Sequence, residues 1–183
     1  MNQHTERILK NLANKKTGVF CDDSNLFYAY KKYNWRIDFK KLKKFLSQYC
    51  DLKFINYHVA IPAKSDNAYG KSEKFLANIN QDVVLKKKDL KYIPFSKGIT
   101  KKGDVDINVA LDVVRNIDQL DAVIVLSGDS DYLELKNYVV KDKRKDIVFI
   151  SYKRNMAWEL KRYCKTFFLE KIKHYIILDN NKP

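Results

Sequence analysis

Apolar residues fall into two rhythms along this chain. Short unbroken apolar runs closed by polar residues alternate with stretches whose apolar positions recur every three or four residues. The first pattern predicts strands covered on both faces, and the second predicts amphipathic helices. Residues 17–21 (TGVFC) read as a brief buried strand that stops at Asp22 and Asp23. Phe39, Leu42, Phe45, Leu46 and Tyr49 share one helical face, and 52–61 (LKFINYHVAI) is a strand halted by Pro62. A helix over 72–81 precedes 82–95, which predicts two short strands joined around Lys87–Asp89. Residues 96–104 (SKGITKKGD) read as a basic loop and 105–117 as a helix by period. Residues 121–131 (DAVIVLSGDSD) hold the clearest strand in the chain. Helix at 132–141, strand at 146–152, helix at 156–164, a short strand at 166–170 and a final segment at 171–178 complete the pattern.

Strand and helix in alternation predict an α/β domain with a mainly parallel central sheet and helices on both faces, a three-layer α/β/α architecture. Its expected extent is 17–170, with 1–16 a short polar helical extension and 171–183 a C-terminal tail. No internal repeat or low-complexity block interrupts it. In such sheets, sites form beyond the carboxyl ends of the strands, near the point where strand order reverses. The polar residues at strand ends are therefore where chemistry is expected.

Two strong strands end in acids. One runs into Asp22, Asp23, Ser24 and Asn25, the other into Ser127, Gly128, Asp129, Ser130 and Asp131. If both strands are central and parallel, Asp22 and Asp129 emerge at one edge of the sheet. Lys102, Gly103, Asp104, Val105 and Asp106 open a helix that also carries Asp112. Carboxylates gathered in one pocket repel, so either some stay protonated or a cation sits among them. Oxygen-only ligands select a hard ion, which makes Mg²⁺ or Mn²⁺ the expected guest. Such an ion can orient water against a phosphodiester and stabilise the departing oxygen. A single Asp at a strand end has an ordinary alternative, to cap the next helix. That alternative is preferred for Asp23 and Asp104. Asp106 and Asp112 lie six positions apart, so on a straight helix they point about 120° away from each other. Asp106, in the first turn, is the expected ligand; Asp112 is expected to hold a water or orient a basic group. Asn25 and Ser127 could bond nearby backbone or touch a phosphate, and Lys102 beside Gly103 could meet one too.

The ordered set Asp22-x-x-Asn25, then Lys102-Gly103-x-x-Asp106 with Asp112, then Ser127-Gly128-Asp129-Ser130-Asp131, resembles the NYN domain family. That family includes the LabA-like proteins and belongs to the PIN-like nuclease group. The resemblance runs from about residue 17 to residue 170, and its most specific part is the SGDSD motif after an AVIVL strand. It implies a PIN-like fold, bound Mg²⁺ or Mn²⁺, and RNA as substrate. Carried over by motif position, Asp22, Asp106, Asp129 and Asp131 form the metal and catalytic set. One departure stands out: the position after Asp22, often Gly in the family, is Asp23 here.

Charge fits a polyanionic partner. Lys and Arg number 36 against 22 acids, a net charge of +14, and each neutralised phosphate releases counterions. A Lys-rich proteome gives the same surplus without such a partner, so charge is informative only beside a site. Lys86, Lys87, Lys88, Lys97, Lys101 and Lys102 could track an RNA backbone. Tyr69, Tyr92 and Phe95 could stack on bases, though half-buried packing is the commoner fate of such rings. Trp158 and Phe75, on helical stripes, are assigned to the core.

Other chemistries find no support. Cys21, Cys50 and Cys164 are far apart with no CxxC, and His4, His58 and His174 are scattered, so no zinc set is visible. No run approaches the length of a membrane helix and the N-terminus lacks a signal core, so a cytoplasmic protein is expected. There is no nucleophile elbow, P-loop or dinucleotide fingerprint. A phosphoacceptor receiver would place its Asp after an early strand, unlike Asp129. The leading expectation is a metal-dependent ribonuclease acting on single-stranded RNA. Its rival is a non-catalytic RNA-binding or protein-interaction module with the same fold. Oligomeric state stays open, a homo-oligomer included.

Overall fold

The computed structural model describes residues 1–96 and 98–179; Lys97 and the last four residues of the tail lie outside them. In chain order the elements are α1 (Gln3–Lys10), β1 (Lys16–Asp22), α2 (Asp23–Tyr33), α3 (Phe39–Leu46), β2 (Asp51–Ile61) and α4 (Tyr69–Ile79). They continue with β3 (Val84–Asp89), β4 (Lys91–Phe95), β5 (Gly98–Lys102), α5 (Asp106–Asn116) and β6 (Ala122–Leu126). The rest are α6 (Leu133–Asn137), β7 (Asp146–Ser151), α7 (Trp158–Tyr163), β8 (Lys165–Phe168) and α8 (Lys173–Ile176). Among the described residues, no helix is long and apolar enough to cross a membrane.

Six strands form one sheet in the order β3–β2–β1–β6–β7–β8, and all five pairings are parallel. The chain builds outward from β1 to β3, returns to the middle, and builds outward again from β6 to β8. Strand order therefore reverses between β1 and β6, which is where a crevice opens above an α/β sheet.

Strict alternation along the strands explains the three layers. Val19 and Cys21, Ile124 and Leu126, and Val148 and Ile150 face one way, into a core closed by α1, α2, α3, α4 and α8. Phe20, Val123, Val125, Ile147 and Phe149 face the other way, into a core closed by α5, α6 and α7. An unbroken apolar run is what a strand needs when both its faces are covered.

Three sequence expectations change. The 1–16 helix is amphipathic rather than polar: Ile8 and Leu9 of α1, with Leu12 just beyond it, are buried, and the His4 ring bonds the Thr166 carbonyl of β8 at 2.9 Å. The basic loop at 96–104 is largely strand β5, paired antiparallel with β4 in a ribbon separate from the main sheet. Trp158 is not core; it is 60% exposed. Phe75 does pack against the first core. The ribbon is tied down at its base, where Tyr92 donates to Asp66 at 2.7 Å and Lys101 pairs with the same carboxylate at 2.7 Å. Tyr92 is thus an anchor, while Phe95 remains exposed.

Candidate functional site

Asp22 is the last residue of β1 and the cap of α2, and only 1% of it is exposed. One carboxylate oxygen accepts from the Ser24 hydroxyl at 2.5 Å and the Asn25 backbone N–H at 3.2 Å. The other accepts from the Ser127 hydroxyl at 3.0 Å, with the Tyr132 hydroxyl 3.4 Å away. Four donors around two oxygens fix the carboxylate in place. On the neighbouring strand exit, Asp129 caps the short 130–132 turn by accepting from the Asp131 N–H at 3.0 Å. Both acids therefore do what a capping residue does, and they still meet at one sheet edge.

The third acid arrives from α5. Asp106, in its first turn, stands 3.4 Å from the same Tyr132 hydroxyl that approaches Asp22. Burial pushes the Asp106 carboxyl above its ordinary value, and the charges of Asp22, Asp129 and Asp104 add to the push. Tyr132 is raised too, by burial first and then by Asp22, Asp106 and Asp129. Asp22 and Asp106, from distant segments, thus flank one buried hydroxyl, and the charge of Asp129 acts on both Asp106 and Tyr132. At 3.4 Å the hydroxyl contacts are at the weak limit of hydrogen bonding. Tyr132 was not a sequence candidate; its only signal was its place directly after SGDSD.

The other candidates are placed as follows. Asn25 turns its amide oxygen to the Gly128 N–H at 3.0 Å and the Ser151 hydroxyl at 3.3 Å, bracing the β6 exit against β1 and β7. Ser127 is buried between Asp22 and the Asp129 N–H. Asp131 is exposed at the rim. Lys102 is exposed and pairs with Asp104 at 3.2 Å. Asp112 points elsewhere. It accepts from Asn56 at 2.7 Å, contacts the His58 ring at 3.0 Å, and accepts from Asn116 at 3.0 Å. Gly103 has a packing reason: a side chain there would sit 2.7 Å from Leu90 Cδ1 and 2.9 Å from Ala60 Cβ.

Asp22, Asp106 and Asp129 are oxygen donors of the kind a hard dication takes. Among the described residues, no three His, Cys, Asp or Glu side chains already form a group able to hold an ion. Burial and the neighbouring acids both disfavour the ionised form of Asp106.

Asp23 belongs to a different environment. It accepts from the Tyr57 hydroxyl, on the opposite face of the sheet. Burial and the adjacent Asp22 charge push its carboxyl up to about 6, against the opposing pull of Tyr57 and Arg36. A raised folded-state value means the folded chain holds this proton more tightly than the unfolded chain. Stability is therefore lost as pH rises from about 4 through about 6, and the loss is complete above that. Asp23→Asn should raise stability at pH 7.5 by on the order of 1–3 kcal/mol and leave it nearly unchanged at pH 4. Thermal melts in chelator at both pH values check this; a gap independent of pH would contradict it.

Comparison with known proteins places this chain among relatives. The family model of the NYN domain matches residues 16–172. The "Low amplitude and bright protein LabA" of Synechococcus elongatus is 21% identical over 147 residues, covering 80% of this chain and 78% of that protein. The crystal structure of VPA0982 from Vibrio parahaemolyticus, a protein described as of unknown function, superposes with a TM-score of 0.70 at 20% identity. That match covers 97% of this chain and 99% of the other, and at such identity it speaks for the fold alone.

Proposed function

The chain belongs to the NYN domain family, and from that premise we propose that it is a metal-dependent ribonuclease acting on single-stranded RNA. The observation that carries this reading is the meeting of Asp22, Asp106 and Asp129 around the Tyr132 hydroxyl. A structural role alone would not need three like charges from three segments in one poorly solvated space.

Asp22, Asp106 and Asp129 would hold Mg²⁺ or Mn²⁺, with the rim residue Asp131 assisting. When bound, the ion would supply Lewis-acid polarisation of the phosphodiester and make water more acidic. The chain's own residues have distinct tasks. Asp22 is the fixed point, immobilised by Ser24, Ser127 and the Asn25 backbone. Asp106, raised above its ordinary value by burial and by the neighbouring acids, is the carboxylate whose charge a cation would relieve. Asn25 and Ser127 hold the β6 exit that carries Asp129. Lys102, exposed near the entrance to α5, would meet an RNA phosphate by exchanging its Asp104 partner.

The test is labelled single-stranded RNA with Mn²⁺ or Mg²⁺, with and without EDTA, beside Asp129→Asn. Cleavage should stop both in EDTA and in the variant. Cleavage that survives both would reject the mechanism. RNA binding without cleavage under either metal would favour the non-catalytic module.

A further inference from the structure

A second feature lies one strand away from the acids. Asp22 on β1 is the register partner of His58 on β2, so the two backbones are about 4.8 Å apart. Above His58 a cleft of about 390 Å³ opens between β3 and α5, within the size range of small-ligand sites. His58 and Asp112 are at its floor, both nearly fully buried. Its walls carry Lys86 and Lys88 from β3, and Asn108, Leu111 and Arg115 from α5.

The charges of this cleft do not balance. Asp112 is its only lining acid, and Asn56, His58 and Asn116 already engage its oxygens. Lys86 reaches Asp112 only at 3.9 Å. Arg115 makes no ion pair among the described residues, and it is exposed. Lys88 crosses the mouth to the Asp104 carbonyl, two residues before Asp106. Beside these cations stands Leu111, a large apolar side chain left 46% exposed. Cations in excess of the one lining acid, next to an open apolar wall, suit a nucleotide, whose phosphate takes the charge and whose sugar or base takes the apolar contact.

We propose that this cleft is a subsite for one nucleotide of the RNA strand, flanking the position of the acids. Lys86 and Arg115 contact its phosphate, Leu111 supports its sugar or base, and the buried His58–Asp112 pair holds α5 over β2 to shape the floor. The proposal rests on RNA being the ligand of the acidic site, but not on that site cleaving it.

Binding measured in EDTA separates the two. The anisotropy of a labelled single-stranded oligoribonucleotide is followed across a salt series. Lys86→Ala/Arg115→Ala should weaken binding about tenfold or more near 0.1 M salt and flatten the log–log salt slope by about 0.7. Lys40→Ala/Lys44→Ala, on α3 across the sheet, removes equal charge and should change binding far less. Because Lys86 and Arg115 are both solvent-accessible, thermal melts should show both variants folded, and Arg115→Glu alone should reproduce the loss. Uridine monophosphate should displace the oligonucleotide at a concentration at least tenfold lower than inorganic phosphate. Equal effects from the two double variants, equal competition by the two phosphates, or wild-type protein that does not bind RNA would overturn the subsite. Binding lost as expected, without cleavage under any metal, would leave the subsite standing and reject the ribonuclease reading.

Discussion

Asp106→Asn is expected to lower turnover of bound RNA by roughly a hundredfold or more while raising the melting temperature of the metal-free protein at pH 7.5. The two effects share a cause. Asp106 is pushed above its ordinary value by burial and then by Asp22 and Asp129. The folded state therefore holds this proton more tightly than the unfolded chain does, and the ionised carboxylate costs stability at neutral pH. Asparagine keeps an acceptor for the Tyr132 hydroxyl and removes the charge. In chelator the variant should melt above the wild type, by a margin that shrinks as pH falls. Saturating Mg²⁺ should reverse the order, because an ion at 100 times its Kd adds about 2.7 kcal/mol to a protein that binds it and the variant binds it less well. Scanning calorimetry in EDTA and in Mg²⁺, with single-turnover cleavage alongside, reads both effects. A variant that melts lower in EDTA, or that cleaves at the wild-type rate, would show that Asp106 is a structural acid.

What was legible in the chain follows from what leaves a local signature. An apolar run buried on both faces and closed by a polar residue marks a central parallel strand, so Asp22 and Asp129 are legible in the sequence as strand-end acids. Their meeting required strand order, and the β1–β6 adjacency supplies it. The β5 strand leaves no mark in the periodicity because every residue in it is exposed; it is set by pairing with β4 and by the Lys101–Asp66 ion pair. Trp158 was misassigned because a helical stripe marks a face without saying that the face is covered. Gly103 has a packing reason that the sequence does not display: Leu90 and Ala60 leave no room for a side chain there.

The polar network around Asp112 did have a signal. In β2, Ile55, Tyr57 and Val59 face one core while Asn56 and His58 alternate with them. Polar residues on the second face of a strand buried on both sides require a buried partner. Asp112 is that partner, six residues along α5 from Asp106. One helix thus serves two sites: its first turn completes the acidic cluster, and its middle fixes its position over β2. Acids at that spacing cannot share an ion, and here they need not.

Gly128→Ala should be the most damaging single methyl addition in the chain. A Cβ at Gly128 would lie 2.3 Å from the Asn155 carbonyl oxygen, 2.8 Å from its carbon and 2.9 Å from Met156 Cα. All three are backbone atoms, so no side-chain rotation relieves the overlap. The segment is also pinned from both directions: the Gly128 N–H donates to Asn25 at 3.0 Å, and the Ala157 N–H donates to the Gly128 carbonyl at 2.8 Å. Moving apart breaks one or both bonds and carries Asp129 away from Asp22. The expected cost is about 2–4 kcal/mol, a fall of roughly 5–15 °C in melting temperature for a domain of this size. Gly70→Ala in α4 is the matched control. Nothing lies within 4 Å of its Cβ, so helix propensity should make it neutral or stabilising by up to about 1 kcal/mol. Gly18→Ala should fall between them, since its close neighbours are the side chains of Leu120 and Phe54, which can shift. If Gly128→Ala melted with the wild type and cleaved RNA at full rate, the β6 exit would be looser than its backbone contacts require, and Asp129 would not owe its position to them.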